Sequence, residues 1–271
     1  MSSLKDRTVF ITGGSRGIGR AIALRAARDG ANVVLAAKTA EPHPTLSGTI
    51  HTVAAEIEEA GGQALPLAVD VRDSDRVADA VAAAAERFGG IDVLVNNASA
   101  VFLGDVESTP VKRFDLVFDI NVRGTFLVSQ QCIPYLRHSD NPHIVTLSPP
   151  IDLSPGWFAG RTAYTMSKYA MSMTVAGLAA ELADNGVAVN ALWPRTMIYT
   201  AASAMFDIGA AGCRTEEIMA DAAYEIVTSP AAKRSGEFLI DEDVLRASGV
   251  DDFSRYEVVP GAPIQVDLFV A

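Results

Sequence analysis

The chain has 271 residues, 49% of them hydrophobic, and a formal net charge of −11. That length suits one large α/β domain rather than two small ones, with enough apolar residues for a sizeable core. The acidic balance excludes a general affinity for nucleic acid, which needs many phosphate-neutralising cations; one bound dinucleotide needs only a local positive site.

Residues 8–12, Thr-Val-Phe-Ile-Thr, form a β-branched apolar run that reads as a buried parallel strand. The run breaks into Gly13-Gly-Ser15-Arg16-Gly17-Ile18-Gly19 and restarts as a helix over residues 20–29. Glycines let the backbone turn tightly and approach a pyrophosphate, and the helix N-terminus offers it free N–H groups and a partial positive charge. The spacing is Gly-x-x-x-Gly-x-Gly, and alone it fits an ordinary tight turn as well. Its place at the head of a βαβ pattern points to a dinucleotide.

Residues 32–37 give a second strand, followed by a loop with Pro42 and Pro44. A helix is predicted over residues 49–60, stopped by Gly61-Gly62. A third strand covers residues 64–69 and ends at Asp70, and Asp73 opens a helix running to Phe88. Residues 91–95 are a short strand ended by Asn96-Asn97. Residues 110–136 read as largely helical, and residues 143–147 as a fifth strand followed by a proline-rich loop. A long helix covers about 162–183, a sixth strand residues 187–192, and a last strand residues 238–241.

This alternation predicts a single α/β domain over residues 1–271. Its parallel sheet is doubly wound in the manner of a Rossmann fold, with helices on both faces. Ligands then sit outside the carboxyl ends of the strands, where Thr12, Ala37, Asp70, Asn97 and Ser148 lie. Residues 196–228 break the pattern. Their small, apolar stretch at 201–212 reads either as a mobile substrate lid or as a surface helix and loop packed on the core. The tail from Asp251, acidic and aromatic and then proline-containing, reads as packing at an edge or a subunit contact.

Tyr164 and Lys168 lie near the start of the long helix, and positions i and i+4 share a face. A tyrosine hydroxyl titrates near 10 and is a poor base at neutral pH. A lysine charge about 4 Å away favours phenolate by up to roughly 4 kcal/mol at an effective dielectric of 20, before desolvation is counted. Such a tyrosine exchanges a proton with a substrate alcohol or carbonyl. The Tyr-x-x-x-Lys spacing alone is common and usually structural.

Taken together, Thr12-Gly13-x-x-x-Gly17-x-Gly19, Asn96-Asn97-Ala98-Ser99, Asn121 and Tyr164-x-x-x-Lys168 make the chain resemble the short-chain dehydrogenase/reductases, over about residues 6–243. More narrowly it resembles their hydroxysteroid dehydrogenase-like protein 2 group, in residues 36–44, Ser148-Pro149-Pro150 and residues 189–194. Some members of that group carry a C-terminal sterol-carrier domain, which is not expected within these 271 residues. The resemblance implies hydride transfer between a nicotinamide and a substrate carbon. Tyr164 would be the general acid or base, and Lys168 would bind the nicotinamide ribose and lower the Tyr164 pKa. Asn121 would hold a water that relays protons from Lys168, or else be a helix-packing asparagine. The cofactor would be bound by Gly13, Ser15, Arg16, Gly17, Ile18, Gly19, Asn97, Ala98, Tyr164, Lys168 and Pro194, with Asp70 at the adenine amino group unless it is a helix cap.

Two departures stand out against the family. Proline occupies position 149, where the second serine of a Ser-Ser pair usually sits, so no hydroxyl there can polarise a carbonyl. Ser148 is the preferred substitute because it follows the fifth strand directly, while Ser154 precedes Pro155-Gly156 in a turn and is expected to cap backbone groups. Arg195 follows Pro194 where the family commonly has glycine.

The second strand ends in Ala36-Ala37-Lys38 with no carboxylate to meet a ribose 2′-hydroxyl, so NADP is expected over NAD, with Lys38 and Arg16 flanking the 2′-phosphate. Trp157, Phe158, Trp193, Met205 and Phe206 around the expected mouth suggest an apolar alcohol or carbonyl substrate, unless they are core filler. Two rivals remain: a nucleotide-binding sensor or scaffold with little turnover, and an enzyme acting on sugar nucleotides. The family resemblance implies a homodimer or homotetramer. The residues show no apolar run of roughly 18 for a membrane span, no apolar signal core and no targeting tripeptide. With two cysteines, Cys132 and Cys213, forming no framework, a cytoplasmic protein is expected. The four histidines, His43, His51, His138 and His143, show no metal spacing and read as surface or loop residues.

Overall fold

A computed structural model describes residues 3–42, 47–204, 206 and 208–270. His43, Pro44 and Met205 therefore lie outside the described residues. Among the described residues, seven parallel strands form one sheet in the order β3-β2-β1-β4-β5-β6-β7. They are β1 (Thr8–Thr12), β2 (Asn32–Ala37), β3 (Gln63–Ala68), β4 (Val93–Asn96), β5 (His143–Thr146), β6 (Ala188–Trp193) and β7 (Phe238–Ile240). Every residue of β1, β2, β4, β5 and β6 is buried, as a sheet covered on both faces requires. Pro66 lies in β3, which is an edge strand and can do without one ladder donor.

The two faces separate by residue parity along each strand. On one, Val9, Ile11, Val33, Leu35 and Val145 pack under α1 (Gly17–Ala27) and α2 (Ile50–Glu59). On the other, Phe10 and Val34 share a cluster with Val77, Ala80 and Val81 of α3 (Ser74–Phe88), and Leu94, Ile144 and Val189 extend it to Val128, Cys132 and Val175 of later helices. Two helix starts follow the expected chemistry: Thr49 and Thr52 form a reciprocal cap on α2, and the Asp73 carboxylate accepts from the N–H groups of Asp75 and Arg76 on α3.

Residues 110–136 are less regular than expected. Helix α4 (Val111–Val117) runs into a π-helical stretch, Phe118–Gly124, before α5 (Thr125–Leu136). The long helix α6 (Thr162–Glu181) follows β5, and a short helix α7 (Ala201–Ala204) follows β6. Helix α8 (Glu217–Thr228) buries Ile218, Met219, Ala222 and Ile226 in the α1 face of the core. Any lid in residues 196–228 is thereby confined to the part before α8. Helix α9 (Asp241–Ala247) grows directly out of β7.

His143 corrects the surface reading of the histidines. It is fully buried in β5, its Nε2 lies 3.1 Å from the Ser229 carbonyl, and burial holds its pKa down at about 4.

Candidate active site

The carboxyl ends of the strands open onto a cavity of about 560 Å³, within the usual size of small-molecule sites. One end is built on the turn after β1. Gly13 has φ +69°, and a Cβ there would lie 2.9 Å from Asn97 Nδ2; a Cβ at Gly19 would lie 2.5 Å from the same atom. Both glycines make room for a clamp. Asn97 Nδ2 donates to the carbonyls of Thr12 (2.9 Å) and Gly13 (3.0 Å), while Thr12 Oγ1 accepts from the N–H groups of Asn97 and Ala98, both at 3.0 Å. The turn after β1 and the end of β4 are thereby locked together.

Helix α1 starts at this turn without a side-chain cap, because Arg16 at the N-cap position makes no such bond. Gly17 and Ile18 of its first turn line the cavity, so helix N–H groups with no partner among the described residues open onto it. That arrangement fits a pyrophosphate. Arg16 instead reaches the carbonyls of Ser47 (3.0 Å) and Gly48 (2.9 Å). Lys38 is exposed after β2. Asp70 after β3 holds Arg72 in a fork, Nε to Oδ1 at 2.9 Å and Nη2 to Oδ2 at 2.6 Å, and the Arg72 hydrogen bonds keep its carboxyl below the usual range.

At the other end α6 presents Tyr164 and Lys168, 6% and 2% exposed. Lys168 Nζ donates to the Leu147 carbonyl at 2.6 Å and sits 5.0 Å from the centre of the Trp193 ring. Burial, reinforced by the charge of Asp267, pushes the Tyr164 hydroxyl above its ordinary pKa. Burial also pushes Lys168 down to about 7, against the pull of Asp267. In the free chain, desolvation therefore reverses the phenolate stabilisation expected from the spacing: Tyr164 is a protonated phenol.

The cavity brings together Gly13, Ser15, Arg16, Gly17, Ile18, Lys38, Asp70, Asn97, Ala98, Tyr164, Lys168 and Pro194. Three other expected site residues do not line it. Gly19 serves the clamp with Asn97. Asn121, in the π-helical stretch, is buried and uses its side chain internally: Oδ1 accepts from Ala100 N (2.7 Å), and Nδ2 donates to Ala100 O and Ser167 Oγ, both at 3.0 Å. It ties the loop after β4 to the residue beside Lys168. Ser148 is fully buried and its hydroxyl has no hydrogen-bond partner among the described residues; Leu147 lines the wall there. Ser154 donates to Asp152 Oδ1 at 2.6 Å, in the turn-capping role expected of it.

Of the described aromatic residues expected at the mouth, Trp193 and Phe206 line the cavity. Trp157 and Phe158 sit in an aromatic cluster with Tyr164, Tyr169 and Phe269. That cluster exposes what sequence reasoning missed. The tail folds back so that Asp267 and Leu268 line the cavity beside Tyr164 and Lys168. The acidic and aromatic character of the tail was visible, but no local pattern ties it to residues 164–168.

Comparison with known proteins agrees with this geometry. The chain is 58% identical to hydroxysteroid dehydrogenase-like protein 2 of Danio rerio over 97% of its own length and 63% of the relative's, so it spans less than two thirds of that relative. A crystal structure of a short chain dehydrogenase from Mycobacterium thermoresistibile superposes with a TM-score of 0.94 at 56% identity, covering 99% of this chain and 96% of that one. Among less similar structures, a metagenomic short-chain oxidoreductase is in complex with NADP, at 28% identity, a TM-score of 0.73 and coverage of 88% and 98%. A short chain dehydrogenase from Mycobacterium paratuberculosis is bound to NAD; at 22% identity, a TM-score of 0.76 and coverage of 88% and 97%, it shares the fold alone. The family model for short chain dehydrogenase matches residues 7–207, and with that match on top of the clamp, the open helix terminus and the Tyr164–Lys168 face, this chain belongs to the short chain dehydrogenase family.

Proposed function

We propose that the chain is an NADP(H)-dependent oxidoreductase acting on a carbonyl or alcohol of an apolar substrate. The observation that carries this reading is that Tyr164 and Lys168 face the same cavity as the glycine turn and the open N-terminus of α1. A bound nicotinamide dinucleotide supplies or accepts the hydride. The chain's residues do the rest. The turn and the α1 terminus hold the pyrophosphate, Asn97 and Ala98 line the adenosine side with Asp70 near the adenine, and Lys168 holds the nicotinamide ribose. In reduction Tyr164 gives its hydroxyl proton to the carbonyl oxygen; in oxidation it takes the alcohol proton. A buried phenol that keeps its proton suits the reductive direction.

NADP rather than NAD is supported by the end of β2, where Ala37 and the exposed Lys38 line the cavity and residues 36–38, Ala-Ala-Lys, carry no carboxylate of their own. An apolar substrate is supported by Val101, Leu103, Met197, Phe206 and Ile208 in the walls. A reducing compartment such as the cytoplasm is supported by Cys132 and Cys213, both buried free thiols. Exposed apolar side chains on α4, α5 and α6, namely Val111, Phe126, Met166 and Met173, support association with a second copy, which sedimentation would read as a dimer or tetramer.

The deciding experiment measures NADPH and NADH oxidation across aliphatic, terpenoid, steroidal and aromatic carbonyls, with the native chain and Tyr164→Phe. Turnover with NADPH that falls roughly 10²–10⁴-fold in Tyr164→Phe, with NADPH affinity kept, is expected. Tight NADPH binding without turnover on any carbonyl would favour a nucleotide-binding sensor.

A further inference from the structure

The ionisable groups lining the cavity fall into two sets. Arg16, Lys38 and Asp70 follow β1, β2 and β3. Tyr164, Lys168 and Asp267 stand at the opposite end, with Leu147, Trp193 and Leu268 around them. The first two of these act in the reading above; Asp267 has no role there.

The tail holds Asp267 in place from both sides. Gln265 O accepts from Met197 N at 2.8 Å, and Asp267 N donates to Arg195 O at 2.9 Å, with Val266 bridged antiparallel to Thr196. Beyond it, Trp193 Nε1 donates to Leu268 O at 2.8 Å. Phe269, 3% exposed, lies among Tyr169 (5.5 Å between ring centres), Trp157 (5.8 Å), Trp193 (5.9 Å) and Tyr164 (6.2 Å). Its φ of +67° is costly for a bulky side chain. A strained residue kept in such a cage marks a segment held for its position.

The carboxyl is only half used. Asp267 Oδ1 accepts from Leu268 N at 2.6 Å. Oδ2 accepts no hydrogen bond from any described residue, while Lys168 Nζ donates to Leu147 O at 2.6 Å and to Met171 Sδ at 3.5 Å. Of the hydroxyls that could orient a substrate oxygen, Ser148 is shut behind the wall and Ser154 is spent on Asp152.

We propose that the Asp267 carboxyl is the second substrate-binding group at the catalytic end: protonated, it donates a hydrogen bond to the carbonyl oxygen that Tyr164 protonates. Asp267 exchanges no proton with the substrate; Tyr164 alone transfers one. The proposal rests on the oxidoreductase reading and deepens it, because it assigns the site to neutral carbonyl compounds and against those with an anionic group next to the carbonyl.

The groups facing Asp267 are Lys168 and Tyr164 from α6, Asp241 at the start of α9, and Cys213 from the segment before α8. Burial and the Asp241 charge raise its pKa, while the Leu268 N–H and Lys168 lower it, leaving it at about 7. The donor is therefore present below neutrality and lost above it.

The test uses the full chain loaded with NADPH. It reads the affinity for benzamide, an unreducible neutral carbonyl, by calorimetry from pH 6 to pH 8, and the reduction of decanal in parallel. Native affinity should fall as pH rises. Asp267→Asn keeps both an acceptor for Leu268 N and a neutral donor, so its affinity should stay within about threefold of native at pH 6 and lose the pH dependence. Asp267→Leu should lose about tenfold, the worth of one hydrogen bond, with NADPH affinity unchanged. Ser148→Ala should change neither quantity.

Three results would overturn the proposal: native affinity independent of pH or absent, pH dependence surviving in Asp267→Asn, or benzamide binding undiminished in Asp267→Leu. Should the leucine variant not fold, the asparagine profile decides alone. Failure of the underlying reading has a different signature, namely no NADPH binding or decanal reduction that survives Tyr164→Phe.

Discussion

Glu242 offers a severe test of how the cavity's outer wall is held. Its side chain is 6% exposed and that of Arg214 5%, with Arg214 Nη2 2.9 Å and Nε 3.0 Å from Glu242 Oε1. Arg214 Nη1 also donates to Phe253 O at 2.8 Å, and Thr196 Oγ1 reaches Glu242 Oε1 at 3.3 Å. The pair thus joins α9, the strand-like stretch after β6 and the chain before α8. Arg195 and Arg246 approach Glu242 only at 3.9 and 3.6 Å, with 32% and 52% of their side chains exposed, so they contribute little. Glu242→Ala leaves a buried guanidinium with two neutral acceptors, and should cost about 3–5 kcal/mol. For a domain of this size that is a fall of roughly 10 °C in melting temperature. Arg214→Met combined with Glu242→Leu removes both charges and should recover most of the loss. Urea unfolding of the two single variants and the pair gives the coupling. A loss below about 1 kcal/mol for Glu242→Ala, or a double variant no more stable than the single one, would refute the reasoning.

Gly19→Ala places a Cβ 2.5 Å from Asn97 Nδ2 and 2.7 Å from Gly13 O; it should destabilise the chain by about 1–3 kcal/mol and weaken NADPH binding, read by melting and by calorimetry. Lys38→Ala should raise the KM for NADPH about tenfold and leave that for NADH unchanged, since only the former carries a 2′-phosphate. His143, at about 4 in the fold against an ordinary 6.5, is protonated more readily in the unfolded chain; its contribution is present above pH 6.5 and is lost as pH falls toward 4, by about 3 kcal/mol in all. His143→Gln should flatten that slope in urea midpoints measured from pH 7 to pH 4, and parallel profiles for the two proteins would reject the account.

The sheet was legible because parallel strands buried on both faces leave continuous apolar runs, as in Val33-Val34-Leu35 and Ile144-Val145. Helix starts at Thr49 and Asp73 were legible because capping is local chemistry. Tyr164 and Lys168 share a face by helical arithmetic alone. What escaped depends on contacts between distant segments. His143 looks like any histidine at a strand start until α8 and Ser229 cover it. Ser148 lies at a strand's carboxyl end, yet whether its hydroxyl turns toward the cavity is decided by packing around α6. The phenol of Tyr164 depends on a balance between burial and charge that spacing cannot weigh. Asp267 is an acid in an unremarkable tail, and only tertiary pairing with residues 195–197 brings it to the site.

The aromatic cage around Phe269 also sets an order of events in folding. The sheet's contacts form between neighbouring strand–helix units, whereas the cage joins Tyr164 to a residue roughly a hundred positions later, and loops of that length close late and at an entropic cost. A chain can therefore own its full sheet and clamp while its catalytic end still stands open. Refolding followed by tryptophan fluorescence, through Trp157 and Trp193, should lag behind refolding followed by backbone dichroism, with activity returning on the slower clock.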